Sequence, residues 1–406
     1  MSEGPAEARP NAQALWKDPN LSLPRSRCGW RSAHSRGPVA GNLVRPLLAW
    51  FRDNARDLPW RCTRDPYAIW ISEIMLQQTQ VKTVIPYWQR WMRALPGVPS
   101  LARARPDKVL KLWEGLGYYT RAANLRKAAQ RIVEKHRGRF PERFADVLAL
   151  PGVGRYTAGA ICSIAFDQPT PILDGNVIRV FTRVFGIAGN PRQNKTAAEL
   201  WNLAERLVQE AAKQKGRFMS RAVEFSHDTG TAERNCSDFN QALMELGAVI
   251  CTARRPKCPL CPLRKQCVAF RENRTEQLPN PGQRIPSTRR RFVAFVIERN
   301  GRFLVRQRPS GVVNARLWEF PCAEVDERPD GRRIAEGLFG SSPSALQPLH
   351  QVRHTITRYR ITMDVFRAAF TDGMPAVIQN ARWCSPAALH KLAFPSAHRK
   401  ILEAIS

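Results

Sequence analysis

The sequence contains no run of 18 apolar residues, so a membrane-spanning helix is not predicted. No apolar h-region follows Met1, and we therefore expect no secretory signal. Acidic residues are also scarce, since 34 Asp and Glu stand against 64 Lys and Arg, for a formal charge of +30. Because this excess is spread along the chain and is dominated by arginine, nucleic acid is the predicted partner. A cytoplasmic, nucleoid-associated location is expected.

The chain of 406 residues is long enough for two or three domains. Residues 1–38 are rich in Pro, Ser, Arg and Gly, which predicts a disordered basic arm. Helical periodicity over 39–270 predicts a mainly α domain, in which the polar segment 213–237 is expected to be an inserted loop. Residues 271–290 have the composition of a linker. Alternating strand patterns and terminal helices over 291–406 predict an α+β domain.

Short sequence signals locate several element ends. Asp65-Pro66 predicts a helix start, with proline at the first helical position. Apolar residues from Ile69 to Val81 continue this helical stretch, which Pro86 is expected to interrupt. In the second domain, Asn300-Gly301 between two strand patterns predicts a hairpin turn.

The segment Leu150-Pro151-Gly152-Val153-Gly154 lies between two helical patterns and predicts a tight hairpin. Gly152 and Gly154 can adopt positive φ and leave no Cβ in the way of a close approach. The helix that starts near Arg155 would point free N–H groups at an anion such as a DNA phosphate. Asp174 follows in a loop bounded by glycine, which predicts a carboxylate beside this hairpin.

Four of the ten cysteines follow one short pattern, C-x6-C-x2-C-x5-C, at Cys251, Cys258, Cys261 and Cys267. Four thiolates so close in sequence indicate a metal centre, either zinc or iron–sulfur. Zinc sites usually combine two separate C-x2-C pairs, so the single uneven loop favours iron–sulfur.

Three further motifs carry a family resemblance: Asp57-Leu58-Pro59-Trp60-Arg61, the segment Ile71–Val81 and the segment Trp113–Arg121. Together with the hairpin, Asp174 and the cysteine loop, they resemble the MutY-type adenine DNA glycosylases of the helix-hairpin-helix, endonuclease III-like superfamily. The resemblance implies a mainly α glycosylase domain with a [4Fe–4S] loop over 251–267, followed by a Nudix-like α+β domain. It also implies a monomeric enzyme that removes adenine mispaired with 8-oxoguanine or guanine in double-stranded DNA.

The resemblance assigns catalysis to Glu73, Asp174 and Tyr156. Glu73 stands among apolar residues, which would raise its pKa and suit it to protonate adenine as a general acid. Asp174 would stabilise the sugar cation electrostatically or bond to it transiently, and it could also cap the helix that opens at Asn176. Tyr156 occupies the position of a Schiff-base lysine in endonuclease III-like enzymes. A phenol forms no imine, which predicts a monofunctional glycosylase.

The resemblance further implies a set of residues that contact DNA or form the adenine pocket, with Asn176 supporting Asp174 together with Arg179. These residues are Trp60, Arg61, Leu76, Gln77, Gln78, Thr79, Tyr118, Gly152, Gly154, Asn176 and Thr357.

The second domain carries the local match Leu317–Pro321 to Nudix-like domains, but residues 322–340 lack the Nudix catalytic signature. We therefore expect this domain to bind and not to hydrolyse. The family reads the lesion with a Phe-Ser-His loop, and Ile356, Thr357 and Arg358 stand at the corresponding positions. Two alternatives stay open at this point: a T/G mismatch glycosylase of the same superfamily and a non-catalytic DNA damage sensor.

Overall fold

The computed structural model describes residues 41–214, 234–283, 286–326, 330–356, 358–371 and 379–405. The chain forms two compact units. The first runs to Ile85 and resumes over Glu134–Gly282, and the second comprises Pro86–Val133 and Gln283–Ser406. The expected arm over 1–38 lies outside the described residues, as does most of the expected insertion over 213–237. In the described part of the chain, no helix is long and apolar enough to cross a membrane.

The region before the cysteine loop is helical, as predicted. Its helices, with the short one that follows the loop, are α1 (Gly41–Asn54), α2 (Pro66–Leu76), α3 (Val81–Ala94), α4 (Val98–Arg103), α5 (Pro106–Trp113), α6 (Thr120–His136), α7 (Phe144–Leu148), α8 (Arg155–Phe166), α9 (Gly175–Phe185), α10 (Asn194–Ala212), α11 (Asn235–Val249) and α12 (Val268–Arg271).

The start of α2 follows the sequence signal, because the Asp65 side chain accepts a hydrogen bond from the Tyr67 N–H and Pro66 occupies the first turn. The prediction that Pro86 interrupts this stretch was wrong. The break lies earlier, after Leu76, where Gln78 adopts a left-handed φ of 61°. Pro86 is tolerated inside α3. Its ring removes a single backbone hydrogen-bond donor, and burial of the apolar face of the helix offsets that loss.

The core of the first unit is built from α1, α8, α9, α10 and α11. Leu48, Phe181, Leu200 and Leu246 are completely buried in it. The helix α9 is strongly amphipathic, so its apolar side faces this core while its first residue follows Asp174. The core therefore fixes the position of Asp174 through the N-terminus of α9.

The second unit contains a mixed β-sheet. Its strands are β1 (Thr288–Arg299), β2 (Arg302–Gln307), β3 (Trp318–Glu319), β4 (Cys322–Val325), β5 (Ala345–Ile356), β6 (Tyr359–Ala369) and β7 (Ala381–Cys384). Its helices after the linker region are α13 (Gly331–Phe339), α14 (Pro386–Leu389) and α15 (Ser396–Ile405).

The strands follow the order β3-β2-β1-β6-β5, with β4 paired to β1 and β7 paired to β2. The central strands β1 and β6 are parallel, and the other pairs are antiparallel. Asn300 and Gly301 both have positive φ and close the β1–β2 hairpin, which confirms that turn. Apolar residues of α13 pack on one face of the sheet, and those of α15 pack on the other. The α+β prediction for this region is thus confirmed.

A buried carboxylate joins α5 to the C-terminal part of the second unit. Glu114 accepts hydrogen bonds from the Phe394 N–H at 2.9 Å and from Lys111 Nζ at 2.5 Å, and Arg399 Nη1 lies 3.2 Å away. Lys111 also donates to the Leu392 carbonyl. Because Glu114 is only 6% exposed, these partners replace the water that its charge would otherwise require.

Candidate active site

Glu73 projects from α2 into the interior of the first unit and is 5% exposed. The Tyr156 hydroxyl, in the first turn of α8, donates a hydrogen bond of 2.7 Å to Glu73 Oε2, and the Met244 sulfur lies 3.3 Å from the same hydroxyl. Burial raises the pKa of Glu73 to about 7, with the bond from Tyr156 lowering it and the charge of Asp174 raising it further. Near neutral pH this carboxyl can therefore both give and accept a proton.

Tyr156 remains a donor at all relevant pH values. Its burial and the nearby carboxylates of Glu73 and Asp174 raise the pKa of the phenol well above its usual value. The hydroxyl therefore holds the Glu73 carboxyl in one orientation.

Asp174 is the N-cap of α9, and its Oδ1 accepts a 2.7 Å hydrogen bond from the Val177 N–H. Its Oδ2 accepts a 2.9 Å bond from the Asn176 amide. Burial raises the pKa of Asp174, and the bonds from Val177 and Asn176 offset part of this rise. The expected capping role is present, and both carboxylate oxygens have donors that hold them in place.

Arg179 connects this carboxylate to the cysteine loop. Its guanidinium donates to Asn176 Oδ1 at 2.8 Å, to the Gly247 carbonyl at 2.7 Å and to the Cys251 carbonyl at 2.7 Å. The oxygen of Asn176 is thereby fixed while its amide faces Asp174. The orientation of Asp174 thus depends on α11 and on the first cysteine of the loop.

Gly247 allows α11 to approach this segment closely. A Cβ added at Gly247 would lie 2.6 Å from the Asn176 Cβ and 3.0 Å from both its Cα and its carbonyl oxygen. No side chain fits in that space without moving Asn176.

A buried ion pair fixes the segment before α2. Glu245, fully buried in α11, accepts two hydrogen bonds from the Arg56 guanidinium at 2.7 and 2.8 Å, and one from Arg61 at 2.8 Å. Burial alone would raise the pKa of Glu245, but the bonds from Arg56 and Arg61 outweigh it and lower the pKa to about 2. Arg61 therefore anchors the Trp60 segment to α11.

The glycine hairpin combines two different backbone states. Gly152 has a φ of 80°, a region that favours glycine, whereas Gly154 caps α8 with a φ of −100°. A Cβ added at Gly154 would meet no atom of the described residues within 4 Å. Among those residues, neither strain nor crowding explains glycine at this position. Gly154 is the N-cap of α8, so the position without a side chain lies beside the free N–H groups of the first helical turn.

Residues 77–80 form the turn between α2 and α3 and are partly or fully exposed. Gln77 donates to the Thr157 hydroxyl at 3.3 Å, the Thr79 hydroxyl donates to the Gln77 carbonyl, and Gln78 is exposed. Leu76, at the end of α2, is partly buried, whereas Trp60 is buried.

Tyr118, in the second unit, is 37% exposed at a φ of 46°. A large aromatic side chain rarely adopts this backbone region, and the neighbouring Gly117 also has positive φ. The ring packs over the Arg121 guanidinium, whose carbon lies 5.7 Å from the ring centroid.

The four cysteines of the loop line one small cavity together with Arg183. Four soft thiolate donors around one cavity fit a metal centre.

Arg183 supports the same interpretation. Its fully buried guanidinium donates to the carbonyls of Thr252 and Leu278 and lies 3.4 Å from Cys251 Sγ. Within the described ranges, no carboxylate pairs with it. An anionic thiolate cluster in the cavity would supply the missing negative charge.

A second buried polar cluster lies in the Nudix-like region. Glu319 forms ion pairs with Arg306 and Arg308, and His398 Nε2 lies 3.8 Å from its Oε2 and 3.9 Å from Cys322 Sγ. Burial lowers the pKa of His398 to about 4, so its imidazole is neutral. Because two arginines already neutralise Glu319, this cluster serves the fold of the domain and is a poor cation site.

Of the expected lesion loop, Thr357 lies outside the described residues. Ile356 is partly buried, and the exposed Arg358 donates to the Tyr359 hydroxyl at 3.0 Å.

The structure also reveals site residues that the sequence did not indicate, namely Arg56, Glu245, Met244, Gly247 and Arg183. Each acts through a partner that is distant in sequence. The absence of a Cβ at Gly247 and the charge of Glu245 inside the apolar stretch of α11 were the available signals.

The two carboxylates, the glycine hairpin and the cysteine loop define a helix-hairpin-helix DNA base-excision enzyme. The model of HhH-GPD superfamily base excision DNA repair proteins matches residues 71–206, and the NUDIX domain model matches residues 292–404. The rat adenine DNA glycosylase is 36% identical to this chain over an alignment of 420 positions. The alignment covers 88% of this chain and 76% of the rat protein. The adenine DNA glycosylase of Buchnera aphidicola subsp. Acyrthosiphon pisum is 39% identical, covering 68% of this chain and 72% of its own.

The chain belongs to the adenine DNA glycosylase family. It is therefore a base-excision repair enzyme that hydrolyses the N-glycosidic bond of adenine in DNA. Among solved structures, a thermostable thymine-DNA glycosylase aligns with a TM-score of 0.47 and 29% identity, over 57% of this chain and 97% of its own.

Proposed function

We propose that the enzyme acts as a monomer on adenine paired with 8-oxoguanine, and with guanine, and leaves an abasic site. The buried Glu73, bonded to Tyr156 and close to the charge of Asp174, carries the adenine-excision part of this proposal. Neutral adenine is a poor leaving group, because it would depart as an anion. A carboxyl with a pKa of about 7 supplies the proton that prevents this.

The reaction divides between the two carboxylates. Glu73 protonates adenine at N7, and the electrons of the bond between C1′ and N9 move onto the departing neutral base. Asp174, oriented by Val177 and Asn176, stabilises the cation that develops at C1′. Water then adds to C1′ and gives its proton to the Glu73 carboxylate, which restores the acid.

Tyr156 orients Glu73 in this scheme and forms no covalent bond to the sugar. A phenol cannot form the imine that a lysine would make there, so the DNA strand stays intact after base removal. The Gly152–Gly154 hairpin binds a phosphate at the N-terminus of α8. Tyr118, Leu76 and Gln78 contact the base stack from which adenine is flipped.

Cys251, Cys258, Cys261 and Cys267 would hold a [4Fe–4S] cluster, for which the cavity beside Arg183 is suited. The cluster would provide a rigid anionic core for the loop. Through the Cys251 carbonyl, which accepts from Arg179, the loop then supports the Asp174 segment.

The Nudix-like domain reads the lesion through Ile356, Thr357 and Arg358. Thr357 keeps the hydroxyl of the family's serine and can donate to the modified base. Arg358 replaces the family's histidine, which adds a charge and removes an imidazole.

Single-turnover incubation with three duplexes tests the proposal. They carry A opposite 8-oxoguanine, A opposite guanine, and T opposite guanine, and each product is analysed with and without alkali. We expect cleavage of the A strand that depends on alkali, and a faster reaction opposite 8-oxoguanine. The Thr357→Ala variant should narrow the ratio of the two A-strand rates.

Equal rates opposite 8-oxoguanine and guanine would contradict lesion reading. Cleavage of the T strand alone would contradict the proposed substrate. Strand cleavage without alkali would contradict the monofunctional mechanism. Sedimentation of the enzyme with and without duplex tests whether it acts as a monomer.

A further inference from the structure

Four arginines lie on one face of the sheet in the Nudix-like region, close to the β5–β6 hairpin. Arg289 of β1 pairs in register with Arg360 of β6, and Arg360 pairs with Thr355 of β5. Two positions along, Arg291 pairs with Thr362, and Thr362 pairs with Arg353. Because paired residues, and residues two apart on a strand, point to the same face, all four arginines share it. We call Arg289, Arg291, Arg353 and Arg360 the arginine face.

The rest of this sheet face is covered, whereas the arginine face is open. Further along the strands, Val293, Phe295 and Ile297 point to the same side and pack against α13. Arg289, Arg353 and Arg360 are exposed instead, and they line a groove of about 810 Å³.

The groove carries an excess of positive charge. It is lined by five arginines against only Glu324 and Asp326. Glu324 is already paired with Arg290, on the opposite side of the sheet. Arg291 has a loose pair with Asp364 at 3.6 Å.

Among the residues that the structure describes, Arg289, Arg353 and Arg360 form no ion pair. Like charges at paired positions of neighbouring strands repel each other, and Arg289 is paired with Arg360. An anion that bridges the guanidinium groups would offset this repulsion.

We propose that the arginine face binds phosphates of the DNA duplex, on the strand next to the base read by the β5–β6 hairpin. Arginine binds phosphate with a planar fork of donors, and the hydroxyls of Thr355 and Thr362 lie on the same face to add neutral donors. The face begins at the hairpin, because the Thr288 N–H donates to the Arg358 carbonyl. The choice of this part of the duplex rests on the proposed lesion reading by residues 356–358.

The test measures how binding depends on salt. The full chain carrying R289Q, R353Q and R360Q is compared with wild type on a duplex with a non-cleavable abasic analogue opposite 8-oxoguanine. A second duplex carries guanine instead. The dissociation constant is measured between 50 and 300 mM KCl. Each lost phosphate contact reduces the slope of log Kd against log salt by about 0.9, so we expect a reduction of about 2–3 and at least tenfold weaker binding at low salt.

The matched control carries R299Q, R302Q and R333Q, which removes the same charge from exposed arginines at the other end of β1, in β2 and on α13. The slope of log Kd against log salt for this control should stay within about 0.5 of wild type, because salt screens charges that lie far from the DNA. Unchanged melting temperatures for both triple variants show that the fold is intact. A slope for R289Q/R353Q/R360Q equal to that of the control would overturn the proposal.

Two further measurements distinguish phosphate binding by the arginine face from lesion reading and from nucleotide binding. Phosphate contacts do not depend on the base, so the arginine substitutions should raise the dissociation constant equally for both duplexes. Wild type that binds both duplexes equally would contradict lesion reading. If the arginine variant still shows the smaller salt slope in that case, phosphate binding by the arginine face is supported independently. The melting temperatures of wild type and of the arginine variant are also measured with 8-oxo-dGMP. If the variant keeps the wild-type salt slope on DNA but is no longer stabilised by 8-oxo-dGMP as wild type is, the groove is a nucleotide site and the proposal is overturned.

Discussion

Replacing Gly247 with alanine tests whether the close approach of α11 to Asn176 controls the reaction. The added methyl group would lie 2.6 Å from the Asn176 Cβ and 3.0 Å from its Cα and carbonyl oxygen, whereas ordinary contacts begin near 3.4 Å. Two of these three neighbours are backbone atoms, so no side-chain rotation relieves the clash. Asn176, and Asp174 with it, must move by roughly 1 Å.

The magnitude follows from this displacement. A misplacement of about 1 Å at a reacting group costs on the order of 10²-fold in rate, and overpacking typically costs about 1–3 kcal/mol. We therefore expect the single-turnover rate of G247A to fall 10- to 100-fold and its free energy of unfolding to decrease by about 1–3 kcal/mol. Quenched-flow assays and urea denaturation measure the two quantities.

The control for this experiment is Gly337→Ala. Gly337 also lies inside a helix, α13, but a Cβ added there meets no atom of the described residues within 4 Å. Alanine should stabilise the protein by about 0.5–1 kcal/mol there and leave the rate unchanged. If G247A gains stability like G337A and keeps the wild-type rate, the crowding argument is refuted.

Three other changes test separate parts of the site. Glu73→Gln should abolish adenine release, and the wild-type rate should fall about tenfold per pH unit above about pH 7, where the acid loses its proton. Burial raises the pKa of Glu73 from 4.5 in the unfolded chain to about 7 in the folded protein. Protonated Glu73 therefore adds to the free energy of unfolding below pH 4.5, and this contribution is lost as the pH rises through 7. Urea titrations between pH 4.5 and 8 should show that the free energy of unfolding falls by about 3 kcal/mol more in wild type than in E73Q. Arg56→Ala removes the bidentate partner of the buried Glu245 but leaves its bond from Arg61, so the free energy of unfolding should fall by about 1.5–3 kcal/mol, and adding Glu245→Gln should recover part of it. Cys261→Ser should deplete bound iron and visible absorbance and reduce DNA affinity, whereas unchanged iron content would exclude this residue as a ligand.

Local sequence signals predicted the elements that depend on neighbouring residues. The Asp65 cap, the Asn300-Gly301 turn and the hairpin before α8 each follow from the conformational preferences of a few adjacent residues. The apolar flanks of Glu73 likewise predicted its raised pKa, because they indicated burial.

The contacts that orient the carboxylates could not be predicted in this way. Glu245 meets Arg56 across 189 positions of sequence, and Gly247 meets Asn176 only because α9 and α11 pack together. The prediction at Pro86 failed for a related reason, since burial of one helix face outweighs the loss of a single backbone donor. Tertiary packing decided each of these cases, and a single sequence carries no direct record of it.

The Glu114 contacts bear on how the protein can be divided for experiments. The family models suggest a cut between residues 206 and 292, but Glu114 finds two of its partners, the Phe394 N–H and Arg399, far beyond such a cut. A truncated glycosylase fragment would keep Lys111 and lose the other two, which leaves a carboxylate under-solvated a few residues before Tyr118. Low activity in such a fragment would then reflect local damage around Glu114 as well as the loss of the Nudix-like domain. The full-length chain carrying point substitutions is the sounder material for separating the two.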